Sequence, residues 1–389
     1  MFCIVDPHLK EIGEHYYNYD IALAEASARR NLSYLIIAPQ SDLDTGNFVV
    51  YKVLPDLSSS RARQLKAIPL IGGQAELIAK NLIFFFSIRN ELSPSKICQD
   101  WVIFDPMITA NHLLGFLIWL LLIPGNCKAQ IVLLFMRPLS SLGGSGFLRL
   151  SVYLLKRVAR RTHLHLCTEN ESTRKAAESI TGLRWELLEL PLAVGDNEPV
   201  PSSTGRIKFA SLGSARAEKG FNLLIQTLLL LHETGQLSQY EFHIQIYSPR
   251  RIDRNLLERV KQLHSDSIVF YEKALSREAY FDFIRGADVI LLPYRSNIYG
   301  KAGSGTFTEA LSFGKPVVAT QGTWMSQQLQ HFGAGLLCRD DDPSDLARAI
   351  HEIASNLDVY IKKAQATKTA WQQLYSSDVL LNRILRLAQ

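Results

Sequence analysis

The segment Leu291 to Thr320 constrains the fold more tightly than any other part of the chain. Leu291-Leu292-Pro293 closes an apolar run of strand character, and a polar loop leads through Lys301 to Gly303-Ser304-Gly305. From Thr306 the apolar residues recur at helical spacing until Gly314 and Pro316 stop them, and Val317 to Thr320 reads as a second short buried strand. Strand, loop, helix, strand is the unit from which parallel sheets are built. The glycines fall where the helix begins, so its first N–H groups and the positive end of its dipole stay open to an anion. A phosphate suits that place; a simple tight turn is the other reading of a Gly-Ser-Gly.

A second segment has the same build. Phe209-Ala210-Ser211-Leu212 is a strand, Gly213-Ser214-Ala215-Arg216-Ala217-Glu218-Lys219-Gly220 is a loop with two cations, and Phe221 opens a helix with Leu223, Leu224, Ile225, Leu228 and Leu229 on its apolar face. Guanidinium and ammonium groups beside a glycine turn suit a diphosphate.

Together these segments resemble the donor site of nucleotide-sugar glycosyltransferases of the GT-B architecture, especially the retaining family 4 group. Glu309-Ala310-Leu311-Ser312-Phe313-Gly314-Lys315-Pro316-Val317-Val318 is similar, without a gap, to the family phrase E-A-L-x-x-G-x-P-V-V. Lys219-Gly220 match the end of the family's G-R-x-x-x-x-K-G loop, while Ser214 stands where Arg is commonest and Arg216 lies two places on. Lys301 occupies the position, eight residues before Glu309, where the family usually has its first Glu. The resemblance spans roughly residues 205 to 355. It implies an α/β protein of GT-B type, two Rossmann-like domains with mostly parallel sheets facing a central cleft. It further implies that Arg216, Lys219 and Glu309 carry the chemistry. The two cations and the N–H groups around Gly303, Ser304 and Gly305 would hold the diphosphate, with Glu309 on the ribose. Gly213, Ser214, Lys301 and Thr306 would complete the donor site, and Leu275 in the loop Tyr271 to Leu275 would pack on the nucleobase.

Length and composition agree with two domains. A chain of 389 residues exceeds one ordinary core, and 47% hydrophobic with 20% charged residues describes a folded protein. The net charge of +5 is too mild to argue for nucleic acid and fits polyanionic ligands or a membrane surface. Cys3, Cys98, Cys127, Cys167 and Cys338 are scattered without metal-ligand or redox spacing, which predicts reduced thiols, a cytoplasmic setting and no metal. Met1 to Lys10 reads as a first strand and carries no signal-peptide pattern. The apolar run Leu113 to Ile123 is shorter than the about 20 residues that span a bilayer.

The first half alternates in the same α/β manner. Strands are expected at 2–5, 34–38, 48–53, 101–104, 131–135 and 164–167, with helices near 16–30, 73–88, 109–122, 146–161 and 170–180. Ligands of such sheets gather at the carboxyl ends of the strands. Gly13 and His15 after the first strand, His112 after the 101–104 strand and Arg137 after the 131–135 strand are therefore the acceptor-side candidates; helix caps or surface pairs are the alternative. The helix 146–161 joins an apolar face to Arg149, Lys156, Arg157, Arg160 and Arg161. Such a helix lies on an anionic membrane or packs on the sheet with a solvated basic edge. Prolines 191, 199 and 201 with Ser202, Ser203, Thr204 and Gly205 mark a linker. The expected division is an acceptor-side domain at 1–200, a nucleotide-sugar domain at 201–370, and a helix at 371–389 that returns to the first domain.

The resulting expectation is a glycosyltransferase that moves a sugar from a nucleoside diphosphate sugar to a glycan or polyprenyl-linked acceptor. Retention, surface polysaccharide synthesis and a peripheral place on the inner face of the plasma membrane complete it, with no cofactor beyond the donor. A degenerate, non-catalytic nucleotide-sugar-binding subunit is the alternative that Lys301 raises. A phosphorylase or epimerase of the same architecture is another. A dinucleotide-dependent dehydrogenase is disfavoured, because no G-x-G-x-x-G follows the first strand.

Overall fold

The computed structural model describes residues 1–9, 15–39, 49–54, 72–93, 97, 100–188, 205–273, 275–300 and 302–388. The chain forms two compact units, Met1–Pro191 with Ser377–Gln389, and Leu192–Ser376.

In the first unit β1 (Phe2–Val5), α1 (His15–Arg29), β2 (Tyr34–Pro39), β3 (Val50–Leu54), α2 (Gly72–Glu91) and β4 (Val102–Asp105) follow in order. Then come α3 (Leu113–Leu122), β5 (Gln130–Phe135), α4 (Ser145–Ala159), β6 (His163–Thr168), α5 (Glu171–Thr181) and β7 (Glu186–Leu187). Among the described residues the strands form one sheet in the order β3-β2-β1-β4-β5-β6-β7, every pair parallel. Both faces are covered, which is why the central strands read as unbroken apolar runs. Side chains alternate between the faces. Cys3, Val5, Ile103, Ile131 and Leu133 join the core formed with α2, α3 and α4. Phe2, Ile4, Phe104, Val132 and Leu134 join the other, with Leu23 of α1 and Leu380, Leu381 and Ile384 of the C-terminal helix Ser377–Leu387.

Two contacts fix these helices. Arg29 Nη2 donates to Asp378 Oδ2 at 2.7 Å and ties the C-terminal helix to α1. Asn81 of α2 accepts the Gly115 N–H at 3.0 Å with Oδ1 and donates to Ala110 O at 2.8 Å with Nδ2. A first-turn donor of α3 that its own helix cannot satisfy is thus capped from α2. A Cβ at Gly115 would lie 2.2 Å from Asn81 O, so the helices can approach this closely only at a glycine.

The second unit begins with β8 (Ile207–Ser211), β9 (Ser214–Arg216), α6 (Phe221–Glu233), β10 (Tyr240–Gln245), β11 (Tyr247–Arg250), α7 (Arg254–Lys261) and β12 (Ile268–Tyr271). It continues with α8 (Arg277–Gly286), β13 (Val289–Leu292), α9 (Gly305–Ser312), β14 (Val317–Thr320), α10 (Trp324–Phe332), β15 (Gly335–Cys338), α11 (Pro343–Ser355) and α12 (Leu357–Leu374). Its main sheet is parallel throughout, in the order β12-β10-β8-β13-β14-β15. β9 and β11 make a separate parallel pair. Asp253, Ser276, Ser304, Thr323 and Asp342 each accept an N–H from the first turn of the helix they precede.

Trp371 does not start the last helix. It lies inside α12, fully buried among Phe307 and Phe332, and its Nε1 donates to Thr308 O at 2.9 Å. Its indole therefore anchors α12 to α9 of the second unit, and the chain enters the first unit only at Ser377.

Candidate functional site

The strand order of the second unit changes direction between β8 and β13: β10 and β12 lie to one side, β14 and β15 to the other. Loops leaving the carboxyl ends of two such strands diverge and leave a crevice, the usual ligand position of open α/β sheets. The loops here are the two singled out by sequence. They touch: Arg295 N donates to Glu218 O at 3.0 Å, and a Cβ at Gly220, whose φ is +69°, would lie 1.8 Å from Pro293 O. Only glycine allows that approach.

Around the junction stand the predicted donor residues. Lys219 points its ammonium at the Tyr294 ring, 5.5 Å from the centroid, and burial holds its pKa below the ordinary lysine range. The same ammonium lies 2.9 Å from where a Cβ would stand at Gly213, whose φ is +92°. Arg216 closes β9 with its guanidinium partly exposed and 3.9 Å from Glu218 Oε1. The charges of Arg216 and Glu309 both act on the Lys219 ammonium, in opposite senses. Ser214 opens β9 opposite Tyr247.

Ser304 sits at the N-cap of α9, where its Oγ accepts from Phe307 N at 3.3 Å, and Gly303 and Gly305 flank it half-buried. The Ser304 and Thr306 hydroxyls approach the Tyr294 phenol, though outside regular hydrogen-bond geometry, and burial pushes that phenol up to about 12. Glu309, 6% exposed, receives a 2.6 Å hydrogen bond at Oε2 from the Tyr280 hydroxyl. Leu275 is half-buried directly before Ser276, the cap of α8. Lys301 lies outside the described residues.

Two residues that the sequence did not single out support this site. Tyr280 of α8 holds Glu309. Gln245, at the end of β10, accepts the Gly213 N–H at 2.8 Å and donates to Lys273 O at 3.4 Å, so it bridges the cation loop to the loop after β12. Neither has a local signal, because their partners lie 29 and 32 residues away in the chain.

The first-unit candidates are placed differently. His112 is fully buried, so its ring cannot itself meet an acceptor; its Nε2 lies 3.1 Å from Asp105 Oδ2. Arg137 is exposed just past β5. His15 is the first residue of α1 and its side chain lies outside the described residues, as does Gly13 altogether. Asp6 at the end of β1 and Asp20 of α1 are also fully buried. Burial pushes Asp6 up to about 7, and burial together with the charge of Asp6 raises Asp20 well above the carboxylate range. Two buried carboxyls whose charges act on each other resist joint ionisation, and Asp20 holds its proton the more firmly.

Two cations, a capped helix start, glycine-lined backbone and an acceptor carboxylate make a site for an anion attached to a group rich in hydroxyls. Among the described residues, no group of three or more His, Cys, Asp or Glu side chains could hold a metal ion.

Residues 206–356 match the family model described as Glycosyl transferases group 1. No curated protein matches the chain in sequence. Among solved structures, sucrose-phosphate synthase from Thermosynechococcus elongatus is similar at 14% identity and a TM-score of 0.67, over 99% of this chain and 97% of that one. A UDP-forming trehalose-phosphate synthase from Burkholderia xenovorans gives 14% identity and 0.69, over 100% and 98%. WaaG, a glycosyltransferase involved in lipopolysaccharide biosynthesis, gives 14% and 0.61, over 99% of both chains. At these identities the likeness is one of fold.

Proposed function

We propose that this chain, a glycosyltransferase of the GT-B fold that uses a nucleotide sugar, transfers the sugar with retention to a glycan or lipid-linked acceptor in surface polysaccharide synthesis. One observation carries the donor half of that reading: the loop that holds Arg216 and Lys219 touches the loop that leads from β13 toward α9, through Arg295 N and Glu218 O at 3.0 Å. The diphosphate lies against Arg216, Lys219 and the backbone around Gly303, Ser304 and Gly305, and Glu309 takes the ribose hydroxyls. As the glycosidic bond breaks, negative charge grows on the departing phosphate and the two cations stabilise it. The departing phosphate also helps to take the proton of the incoming hydroxyl, so no carboxylate nucleophile is needed.

A peripheral membrane location draws support from the first unit. α2 packs on α3 and α3 on α4, and Leu82, Phe86, Ile118, Leu122, Leu150 and Tyr153 are exposed on these helices. Arg149, Lys156, Arg157, Arg160 and Arg161 are exposed beside them on α4 and just past its end. Apolar side chains rimmed by one sign of charge suit an anionic lipid surface. Among the described residues no helix is long and apolar enough to cross a membrane.

The donor assignment is tested by thermal shift with nucleoside diphosphates on the parent chain and on the Arg216→Ala, Lys219→Ala double variant. A shift in the parent that disappears in a folded variant, together with loss of sugar transfer, is expected. Equal turnover in both would remove the assignment. Cosedimentation with anionic vesicles no better than with neutral ones would remove the membrane reading.

A further inference from the structure

The loop that follows β13 contains a single helical turn, Ser296–Tyr299, and that turn is held from outside itself. Its own N-cap residue, Arg295, offers it no side-chain acceptor, and so short a helix does not stand alone in water. Asp340, just past β15, supplies the acceptor. Its Oδ2 takes the Ser296 N–H at 2.9 Å and the Ser296 hydroxyl at 2.6 Å. Its Oδ1 stands 2.9 Å from Arg295 Nε, and the neighbouring Asp341 accepts from Arg295 Nη1 at 2.6 Å. One carboxylate therefore closes the start of the turn and steadies the residue before it.

The other end of the turn is seated as closely. A Cβ at Gly300 would lie 2.8 Å from Ser296 O and 3.2 Å from the carbonyl oxygen of Gly322, which follows β14. The turn thus rests on the loops that leave β14 and β15. What it carries is Tyr299, whose ring packs on that of Tyr294 with centroids 4.5 Å apart. Tyr294 is the ring over which the Lys219 ammonium stands, and Arg295, the next residue, bonds the carbonyl of Glu218, the residue before that lysine. A path of direct contacts therefore runs from Asp340 through Ser296, Tyr299 and Tyr294 to a cation of the donor site.

Resting on the glycosyl-transfer reading above, we propose that Asp340 is a positioning residue of the donor site. By capping the 296–299 turn it sets Tyr299 against Tyr294, and so sets the aromatic ring that guides the Lys219 ammonium toward the diphosphate. Asp340 touches no substrate in this scheme. It acts through Ser296 and Tyr299, which makes the loop after β15 part of the donor site although it lies two strands from β8 and Lys219 is some 120 residues earlier in the chain.

The test is calorimetric titration of the full chain with uridine, adenosine and guanosine diphosphates. Asp340→Ala should lose about tenfold in affinity for the nucleotide that binds the parent. Asp340→Asn keeps an oxygen for Ser296 and gives up the charge opposite Arg295; it should stay within about threefold of the parent. A double-mutant cycle separates positioning from a general loosening of the fold. Tyr299→Ala should lose about tenfold by itself, and adding Asp340→Ala to it should cost little more, because two residues that act through one contact are not additive. Ser296→Ala, the mildest change, should lose about threefold and keeps the question answerable if Asp340→Ala does not fold. Parent-like affinity in Asp340→Ala or in Ser296→Ala, full additivity in the double variant, or an Asp340→Asn as weak as Asp340→Ala overturns the proposal. In each of those cases the parent still binds its nucleotide, and the donor reading stands. If none of the three nucleotides binds the parent, the donor reading falls and this proposal falls with it.

Discussion

The Tyr280 hydroxyl donates a 2.6 Å hydrogen bond to Glu309 Oε2 in the interior of the second unit. Burial, then the neighbouring carboxylate, raises the phenol well above its ordinary range, so it stays a donor at any working pH. One carboxylate oxygen is thereby held by α8.

Removing that bond should loosen the ribose contact proposed for Glu309. Tyr280→Phe keeps the ring but leaves a buried carboxylate oxygen one donor short, at a cost of about 1–3 kcal/mol. We expect nucleotide-sugar affinity to fall about tenfold and the melting temperature to drop by a few degrees. Calorimetric titration with a nucleoside diphosphate sugar checks it; unchanged affinity would mean that Glu309 does not touch the donor.

Much of this site could be read from sequence because its parts are local. Glycine, cation and helix-start patterns each occupy a dozen residues, and the parallel order of the sheet brings their loops together. β15 was not foreseen, since Gly335–Cys338 is short and mostly half-buried at the sheet edge, with little apolar signal. Asp20 looked like an ordinary polar residue in Tyr16-Tyr17-Asn18-Tyr19-Asp20, and only the folded chain sets it against Asp6. The same holds for Tyr280 and Gln245, whose roles depend on partners that periodicity cannot pair. Sequence alone puts Trp371 at the start of the helix that returns to the first domain; what sets it in the second unit instead is the hydrogen bond to Thr308 O.

Lys219 gives a prediction about protons. Its pKa is lowered chiefly by burial. A bound diphosphate favours the ammonium and raises the value again. Binding should therefore take up protons at alkaline pH, and affinity should begin to fall below the pH at which an ordinary lysine titrates. Titrations in two buffers of different ionisation enthalpy measure the uptake. Lys219→Ala should abolish it and lose about tenfold or more in affinity.

Gly220 and Gly213 both have positive φ but face different neighbours. At Gly220 a Cβ would strike the Pro293 carbonyl at 1.8 Å, which is backbone and cannot yield without parting the two loops. At Gly213 the obstacle at 2.9 Å is the end of the Lys219 side chain, which can swing away. Gly220→Ala should cost about 3 kcal/mol or more of stability, and Gly213→Ala only about 1–2 kcal/mol. The second should lose proportionately more donor affinity, because it displaces the ammonium. Chemical denaturation and nucleotide titration of both variants separate the two effects; equal destabilisation would contradict the backbone argument.

Asp6 and Asp20 make the stability of the first unit depend on pH in an unusual sense. Their pKa values are raised on folding, Asp6 from 3.8 to about 7. A raised value means that the native state holds protons which the unfolded chain releases. The favourable contribution is therefore full below about pH 4 and is lost as pH rises through about 7. Asp20→Asn is nearly isosteric and removes both its own titration and the like charge that acts on its neighbour. Relative to the parent, the variant should gain about 1–3 kcal/mol between pH 5 and pH 8, measured by denaturant unfolding at each pH. If the two chains differed by the same amount at both values, the carboxyls would not be sharing a proton, and the burial of Asp20 would need another partner.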